Sequence, residues 1–464
     1  MRDAVIGEAV QNPVGTTPEQ GRTLLMASLA TLLVLITFVT PLATGVRTTV
    51  ALDAGPGAQA WLLSAMSVGL AAALLTAGVL ADDLGRRRVF GGGLVVLGLG
   101  AVVVAVAGSP AVFVAGRLLQ GVGGAAVIAC ALGLIGQAFP PGPARSRAAA
   151  VWGASVGAGT GLGGLIAAGL DRGNGWRTTY WVTAVAAVLL GAAAQRMLEE
   201  SGGRADRRVD VAGIVLLAGG ISCLLAGLVQ SRTGWVRPSV VVLLAAGLVL
   251  LAAFVPAELR QRAPMIDLRL FRIPGFLAAT VGAFITGATV VGLSSYVPTM
   301  LQRGLGESLL SATLLILVWS AVSTATALGV RWVPALDGRV LLALALAVCA
   351  VGLGAYAVLG EGASGARLLP GLVVLGVGYG AANAALGREA VAHVPPAQAG
   401  MGSGANNTAR YLGAAVGVTL VVLVVGVGTP AELLAGWDRA ALGGAVVALV
   451  GAVLVAVIRP ARDR

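Results

Sequence analysis

The chain has 464 residues, 57% of them hydrophobic and 11% charged, whereas a soluble globular domain carries about 25% charged residues. That composition excludes an ordinary soluble domain, and it leaves the formal net charge of +11 no soluble module through which to bind nucleic acid. No stretch alternates apolar and polar residues with period two, which excludes a transmembrane barrel.

A hydrocarbon core about 30 Å thick needs about 20 apolar residues per helical span. Polar breaks divide the chain into fourteen such spans: 23–45, 60–81, 89–108, 111–138, 148–170, 178–195, 211–229, 238–256, 273–300, 308–329, 340–359, 368–387, 401–427 and 438–458. The expected fold class is all-α integral membrane. Residues 1–22 are polar and carry no basic region followed by a cleavage site, so they read as a cytoplasmic tail. All 31 basic residues are arginine; with the N-terminus inside, 21 fall in inner segments and 8 in outer loops, with Arg117 and Arg410 inside spans. This bias predicts an even span count with both termini cytoplasmic.

In span 1, "ITFVTPLATGV" sets Thr37, Phe38 and Thr40 among apolar residues. Between spans 2 and 3, "GVLADDLGRRRVF" (78–90) places Asp82, Asp83, Arg86, Arg87 and Arg88 together. The arginines are explained by topology. Asp82 is not, because the last turn of a helix disfavours negative charge. It needs a partner, either the neighbouring arginines or the N-terminal amides of another helix. Such a contact crosses an interface at the inner face and latches it shut, with Gly78 and Gly85 allowing close approach.

In span 4, "GRLLQGVGGAA" holds Arg117, whose insertion costs about 2.5–3.5 kcal/mol, so it must face a cavity or a partner. Bracing a neighbouring helix and lining a cavity are both open to it. Gly153, Gly157 and Gly161 recur every four residues in span 5, giving a smooth face for helix packing. Residues 196–210 mix both charge signs with two glycines and read as a solvated linker, which makes spans 7 and 8 an insert. Cys130, Cys223 and Cys349 lie in spans and read as packing residues. His393 is the single histidine, so metal clusters and Ser/His/Asp hydrolysis lack parts; neither an enzyme nor a cofactor is expected. Tyr296, Asn383, Asn406 and Asn407 join Thr37, Phe38 and Thr40 as polar candidates for an apolar substrate cavity, with an interhelical hydrogen bond the alternative for each. Arg410 reads as lying near the inner end of its span, where snorkelling explains it. None of the 20 acidic residues lies near the middle of a span. A neutral or anionic apolar substrate suits Arg117 and Arg410 better than a dication.

At these residues a resemblance becomes specific. "GVLADDLGRRR" resembles the signature between spans 2 and 3 of the major facilitator superfamily, and "GRLLQGVGGAA" resembles its span 4 signature. "ELRQRAPMIDLRLFR" (258–272), "YVPTMLQRGLGESLLSA" (296–312) and "AQAGMGSGANNTARYLGAAVGV" (397–418) resemble its fourteen-span drug/proton antiporter branch. The resemblance implies a six-helix bundle over 23–195, a linker and two inserted spans over 196–272, a second bundle over 273–458 and a cytoplasmic tail at 459–464. It implies alternating access, with gating by Gly78, Asp82, Gly85, Arg86 and Arg87, and central-cavity or coupling roles for Arg117, Gln120 and Gly121. Two departures touch coupling: Thr160 and Ala167–Ala168 replace a proline and a glycine pair in span 5, and Thr37 stands where the branch has an acid. The expected function is a monomeric plasma-membrane transporter that exports a hydrophobic or amphipathic small molecule, with protons as partners by resemblance alone. The alternatives are an uncoupled facilitator or lipid flippase, and a sensor or scaffold with the carrier fold.

Overall fold

The computed structural model describes residues 17–140, 143–170, 175–200, 210–231, 234, 236–261, 264, 268–332, 336–357, 359, 362–392, 394, 399–426 and 428–458. Most of both expected tails, the linker residues 201–209 and His393 lie outside the described residues. All regular structure among the described residues is helical. The elements are α1 (Pro18–Ala51), α2 (Pro56–Leu84), α3 (Arg86–Ala105), α4 (Pro110–Ala138), α5 (Pro143–Leu170), α6 (Arg177–Met197), α7 (Val211–Ser231) and α8 (Pro238–Arg260). They continue with α9 (Pro274–Thr286), α10 (Gly292–Ser294), α11 (Val297–Gly304), α12 (Leu309–Gly329), α13 (Gly338–Gly354), α14 (Leu369–Ala392), α15 (Ala399–Val425) and α16 (Pro430–Val457). Twelve helical segments among them are long and apolar enough to cross a membrane, and Leu314–Gly329 and Gly338–Gly354 are shorter apolar helices.

Local chemistry sets the helix ends. Thr17 and Gln20 form a capping box with Pro18 at the first helical position, and Thr429, Glu432 and Pro430 repeat it at α16. These caps satisfy amides that the helix itself leaves open. They also move two expected boundaries. Helix α1 starts at Pro18, inside the segment read as tail, and α16 starts at Pro430 instead of 438. Asp438, the expected first residue of the last span, sits within α16 and accepts a hydrogen bond from the Leu359 amide at 3.3 Å.

The ninth span is not one continuous helix. A π-helical turn occupies Gly287–Val291 between α9 and α10, and a turn at Ser295–Tyr296 precedes α11. The cause lies in packing: a Cβ at Gly287 would clash with the Arg410 carbonyl oxygen, and one at Gly292 would lie 2.8 Å from Gly417 Cα. Here α9 and α15 meet backbone to backbone. Pro298 lacks an amide donor, so the chain restarts as a new helix with Pro298 in its first turn.

Helices α1 to α6 pack mainly on one another, as do α9 to α16. The two groups meet where α2 crosses α15 and where α5 crosses α12, and α7 packs on both α2 and α15 with α8 behind it. Val185, Val188 and Leu189 on α6, Val241, Val242, Leu248 and Val249 on α8, and Val446, Leu449, Val450 and Val453 on α16 face outward. Apolar surface on that scale belongs against lipid, and the protein is a multi-pass membrane protein.

Candidate functional site

The first cluster forms where α2 ends. Gly85 joins α2 to α3 with φ at +101°, a conformation that side chains resist. This tight turn sets Arg86 one helical turn beyond Asp82. Arg86 Nη2 stands 3.1 Å from Asp82 Oδ1, and Arg86 Nη1 donates to the Gly133 carbonyl at 2.8 Å. A Cβ on Gly133 would lie 2.8 Å from Arg86 Nε, so glycine makes room for the guanidinium against α4. On its other side, Asp82 Oδ2 accepts a hydrogen bond from the Met401 amide at 3.1 Å. Met401 is the third residue of α15, and its amide is one of the helix's open N-terminal donors. One carboxylate therefore compensates its own position at a helix C-terminus with a guanidinium and with the positive end of a second helix.

The remaining motif residues divide. Gly78 is buried in α2. Arg87 turns away from the α2–α15 crossing. Its side chain donates to the Leu198 carbonyl, its amide donates to Glu200, and Glu200 Oε2 lies 3.5 Å from Nε of both Arg87 and Arg88. These contacts tie the start of α3 to the chain leaving α6.

The second cluster surrounds Arg117, which is fully enclosed on α4. Its Nη1 donates to the Thr37 carbonyl at 2.8 Å and to Gln120 Oε1 at 2.9 Å, and its Nη2 donates to the Phe38 carbonyl at 3.1 Å. The Thr37 carbonyl is available because Pro41, four residues later within α1, has no amide to donate. Two of these three hydrogen bonds join α4 to the backbone of α1, the contact that a brace between the helices requires. Thr37 and Thr40 are completely buried and return their hydroxyls to the Leu33 and Ile36 carbonyls. Gly121 serves packing, since a Cβ there would meet the Met66 carbonyl oxygen and lie 2.7 Å from Leu70 N.

The third cluster spans α14 and α15. Arg410 Nη1 donates to Asn383 Oδ1 at 2.9 Å, and Nη2 donates to Asn407 Oδ1. Asn407 donates back to the Ser403 carbonyl at 3.0 Å, and Asn406 donates to the Ala279 carbonyl of α9 at 3.2 Å. Arg410 is the twelfth residue of 27 in α15, not a residue of its inner end. Its guanidinium lies 5.6 Å from the centre of the Tyr411 ring. Trp319 of α12 and Tyr379 of α14 stack at 5.2 Å with 29° between planes. Sequence reading passed over both, because isolated aromatics in apolar spans carry no signal; the i, i+4 spacing of Tyr379 and Asn383 was the available clue. Tyr296 precedes α11 at its N-cap position and is partly buried against the core that includes Leu434 and Trp437 of α16.

The glycine face of α5 is real in part. Cβ atoms at Gly157 and Gly161 would press on Thr324 and on Leu317 of α12, whereas one at Gly153 would meet nothing. Ser320 Oγ donates to the Gly157 carbonyl at 2.6 Å. A second stripe, Gly159 and Gly163, packs on α1 at Leu35, Ile36 and Val39. The same four-residue spacing, offset by two, would have revealed it.

A sequence pattern described as Major Facilitator Superfamily matches residues 21–418. The chain is 33% identical over 438 residues to the cephamycin export protein CmcT of Amycolatopsis lactamdurans, covering 91% of this chain and 90% of that protein. It is 31% identical over 386 residues to the multidrug resistance protein Stp of Mycobacterium tuberculosis, covering 82% and 71%. Among solved structures, the human organic anion transporter MFSD10 matches with a TM-score of 0.68 over 94% of this chain and 100% of that one, at 19% identity. At that identity the likeness is one of fold.

Proposed function

The chain belongs to the Major Facilitator Superfamily, and from that premise we propose that it is a secondary transporter of the plasma membrane that exports a hydrophobic or amphipathic small molecule by alternating access. Relatives that share about a third of its residues over most of both chains are export and resistance proteins, which supports this reading. Taking the two shorter apolar helices as spans beside the twelve longer ones supports a count of fourteen. They divide into two six-helix bundles, over 23–195 and 273–458, with α7 and α8 as an insert and both termini cytoplasmic.

The observation that carries the mechanism is Asp82 bridging Arg86 and the Met401 amide. This contact joins the two bundles at one end only, so it exists while that end is closed. It stabilises the outward-open state and must break for the inner side to open. Charge-assisted hydrogen bonds contribute about 1.5–3 kcal/mol, enough to shift a balanced equilibrium roughly ten- to a hundredfold. Asp82→Asn is therefore expected to insert normally, to export at least about tenfold more slowly, and to expose the inner face. The measurement pairs dye export with labelling of Ala405→Cys, a buried position on α15, after replacing the native cysteines with alanine. Unchanged export and unchanged labelling would reduce these charges to topology signals.

Transport without ion coupling is the second reading. It is favoured by one observation: among the described residues no ion pair engages Arg117, whose donors go to carbonyl and amide oxygens.

A further inference from the structure

Arg410 lies about 17 Å along α15 from its first residue, in the middle of the span Met401–Val425. A guanidinium at that depth requires compensation. Asn383 and Asn407 accept from its two terminal nitrogens, but amide oxygens are neutral, so they orient the fork without cancelling its charge. Among the described residues no ion pair engages it. Arg117 differs in this respect: it is sealed against α1, while Arg410 keeps part of its surface open. Five donors in a planar fork, two of them engaged by amides, leave donors to spare.

The surroundings extend the same chemistry. Tyr379 lies one turn before Asn383 on α14 and carries the stacked Trp319 ring. Trp319 is nine-tenths buried, and its indole Nε1 donor meets no acceptor among the described residues. Tyr411 lies against Arg410 itself. The cluster thus offers one positive fork, one unengaged donor and aromatic faces, and among the described residues no carboxylate pairs with it. A cationic ligand would find no carboxylate partner here and would meet the repulsion of Arg410 beside the aromatic faces.

We propose that Arg410 is the anion-recognising group of the transport pathway, and that the exported compound is an organic anion whose carboxylate or comparable oxyanion is attached to an apolar ring. The assignment rests on the export reading for its direction of transport. The oxyanion takes the open edge of the guanidinium, where a bidentate contact is available, and the ring lies against Tyr411 and the Trp319–Tyr379 stack. Asn383 and Asn407 are positioning residues that hold the fork in the plane the ligand meets.

The test uses three fluorescent probes of one shape: anthracene-9-carboxylate, its methyl ester, and 9-(aminomethyl)anthracene. Binding to the purified full-length protein is expected to favour the carboxylate over the ester by at least about tenfold. Arg410→Gln should erase that preference, and Arg410→Lys should keep part of it, because an ammonium is a point charge without the fork. Equal binding of carboxylate and ester by the wild type, or a preference that survives Arg410→Gln, overturns the proposal. If Arg410→Gln does not fold, the wild-type comparison still decides, together with whether raised chloride weakens carboxylate but not ester binding. Proteoliposome export separates the two claims. Export of ester and amine without carboxylate removes the anion assignment and leaves export standing. Carboxylate binding through Arg410 with no probe exported removes the export reading and leaves the anion site standing.

Discussion

Pro41 and Arg117 act as one unit across two helices. A proline inside a helix deletes one backbone donor and leaves the carbonyl four residues earlier open; within a membrane, such a carbonyl is costly. Arg117 supplies the missing donor to Thr37 at 2.8 Å. In return, the backbone of α1 accepts twice from a guanidinium that would otherwise be buried with Gln120 Oε1 as its acceptor. Arg117→Ala should therefore lower transport and thermal stability while membrane insertion is kept, since the span becomes more apolar. The stability cost is expected at about 1–3 kcal/mol, that of an unsatisfied buried acceptor. Pro41→Ala restores an amide at position 41 and should recover part of that cost in the double variant. Unfolding of the wild type, both single variants and the double in one detergent measures the coupling; strictly additive costs would contradict it. Arg117→Lys should rescue transport only in part, because three acceptors at two angles need a planar fork.

At the scale of helices, glycine position decides which pairs approach closely. Gly157 and Gly161 sit where α5 crosses α12, between the two bundles, while Gly153 faces open space. Substituting valine at 157 or 161 should slow export severalfold at equal protein level, and valine at 153 should leave the rate near wild type. Equal losses at all three would mean that the stripe acts through helix formation and not through the crossing. A different device fixes the loops before α12 and α14. Glu307 bonds the Ser311 side chain and accepts the Gly365 amide at 2.9 Å, pinning the start of α12 to the turn before α14. Those hydrogen bonds, Ser311 first, hold its carboxyl below the ordinary 4.5. A depressed folded-state value stabilises the fold above the ordinary value and ceases to do so as pH falls through the lowered one. The melting difference between wild type and Glu307→Gln should accordingly be present at pH 7 and shrink below about pH 4.5. A difference constant from pH 7 to pH 3 would exclude this role.

For the whole molecule, the placement of acids governs energetics. Proton-coupled carriers need a group whose protonation depends on which side is open. Asp82 is engaged by Arg86 and the Met401 amide where α2 meets α15, and Glu389 stands 3.5 Å from Arg388 near the end of α14. Both lie at helix ends. Export by reconstituted protein is therefore expected to depend weakly on an imposed pH gradient. Stoichiometric proton counterflow that persists in an Asp82→Asn, Glu389→Gln double variant would show that the coupling group lies elsewhere.

Composition and hydropathy alone determined the all-helical membrane class, and the short motif at 78–88 pointed to a contact between Asp82 and either arginine or a distant helix end. Both partners are present, because the helix dipole and the charge sequence are local properties that any fold must satisfy. What the chain could not reveal locally is which distant groups meet. That Met401 supplies the amide, that Pro41 frees the carbonyl Arg117 needs, that Arg87 meets Glu200 and not Asp82, and that Arg410 is held at mid-span by Asn383 all follow from how helices cross. The broken ninth span has the same origin, since apolar periodicity is indifferent to a π turn that exists because Gly287 and Gly292 meet α15. Helices in a bilayer form from local hydrogen bonds, so their existence is written residue by residue. Their pairing depends on the shape of surfaces far apart in the chain, and only the assembled bundle brings those surfaces together.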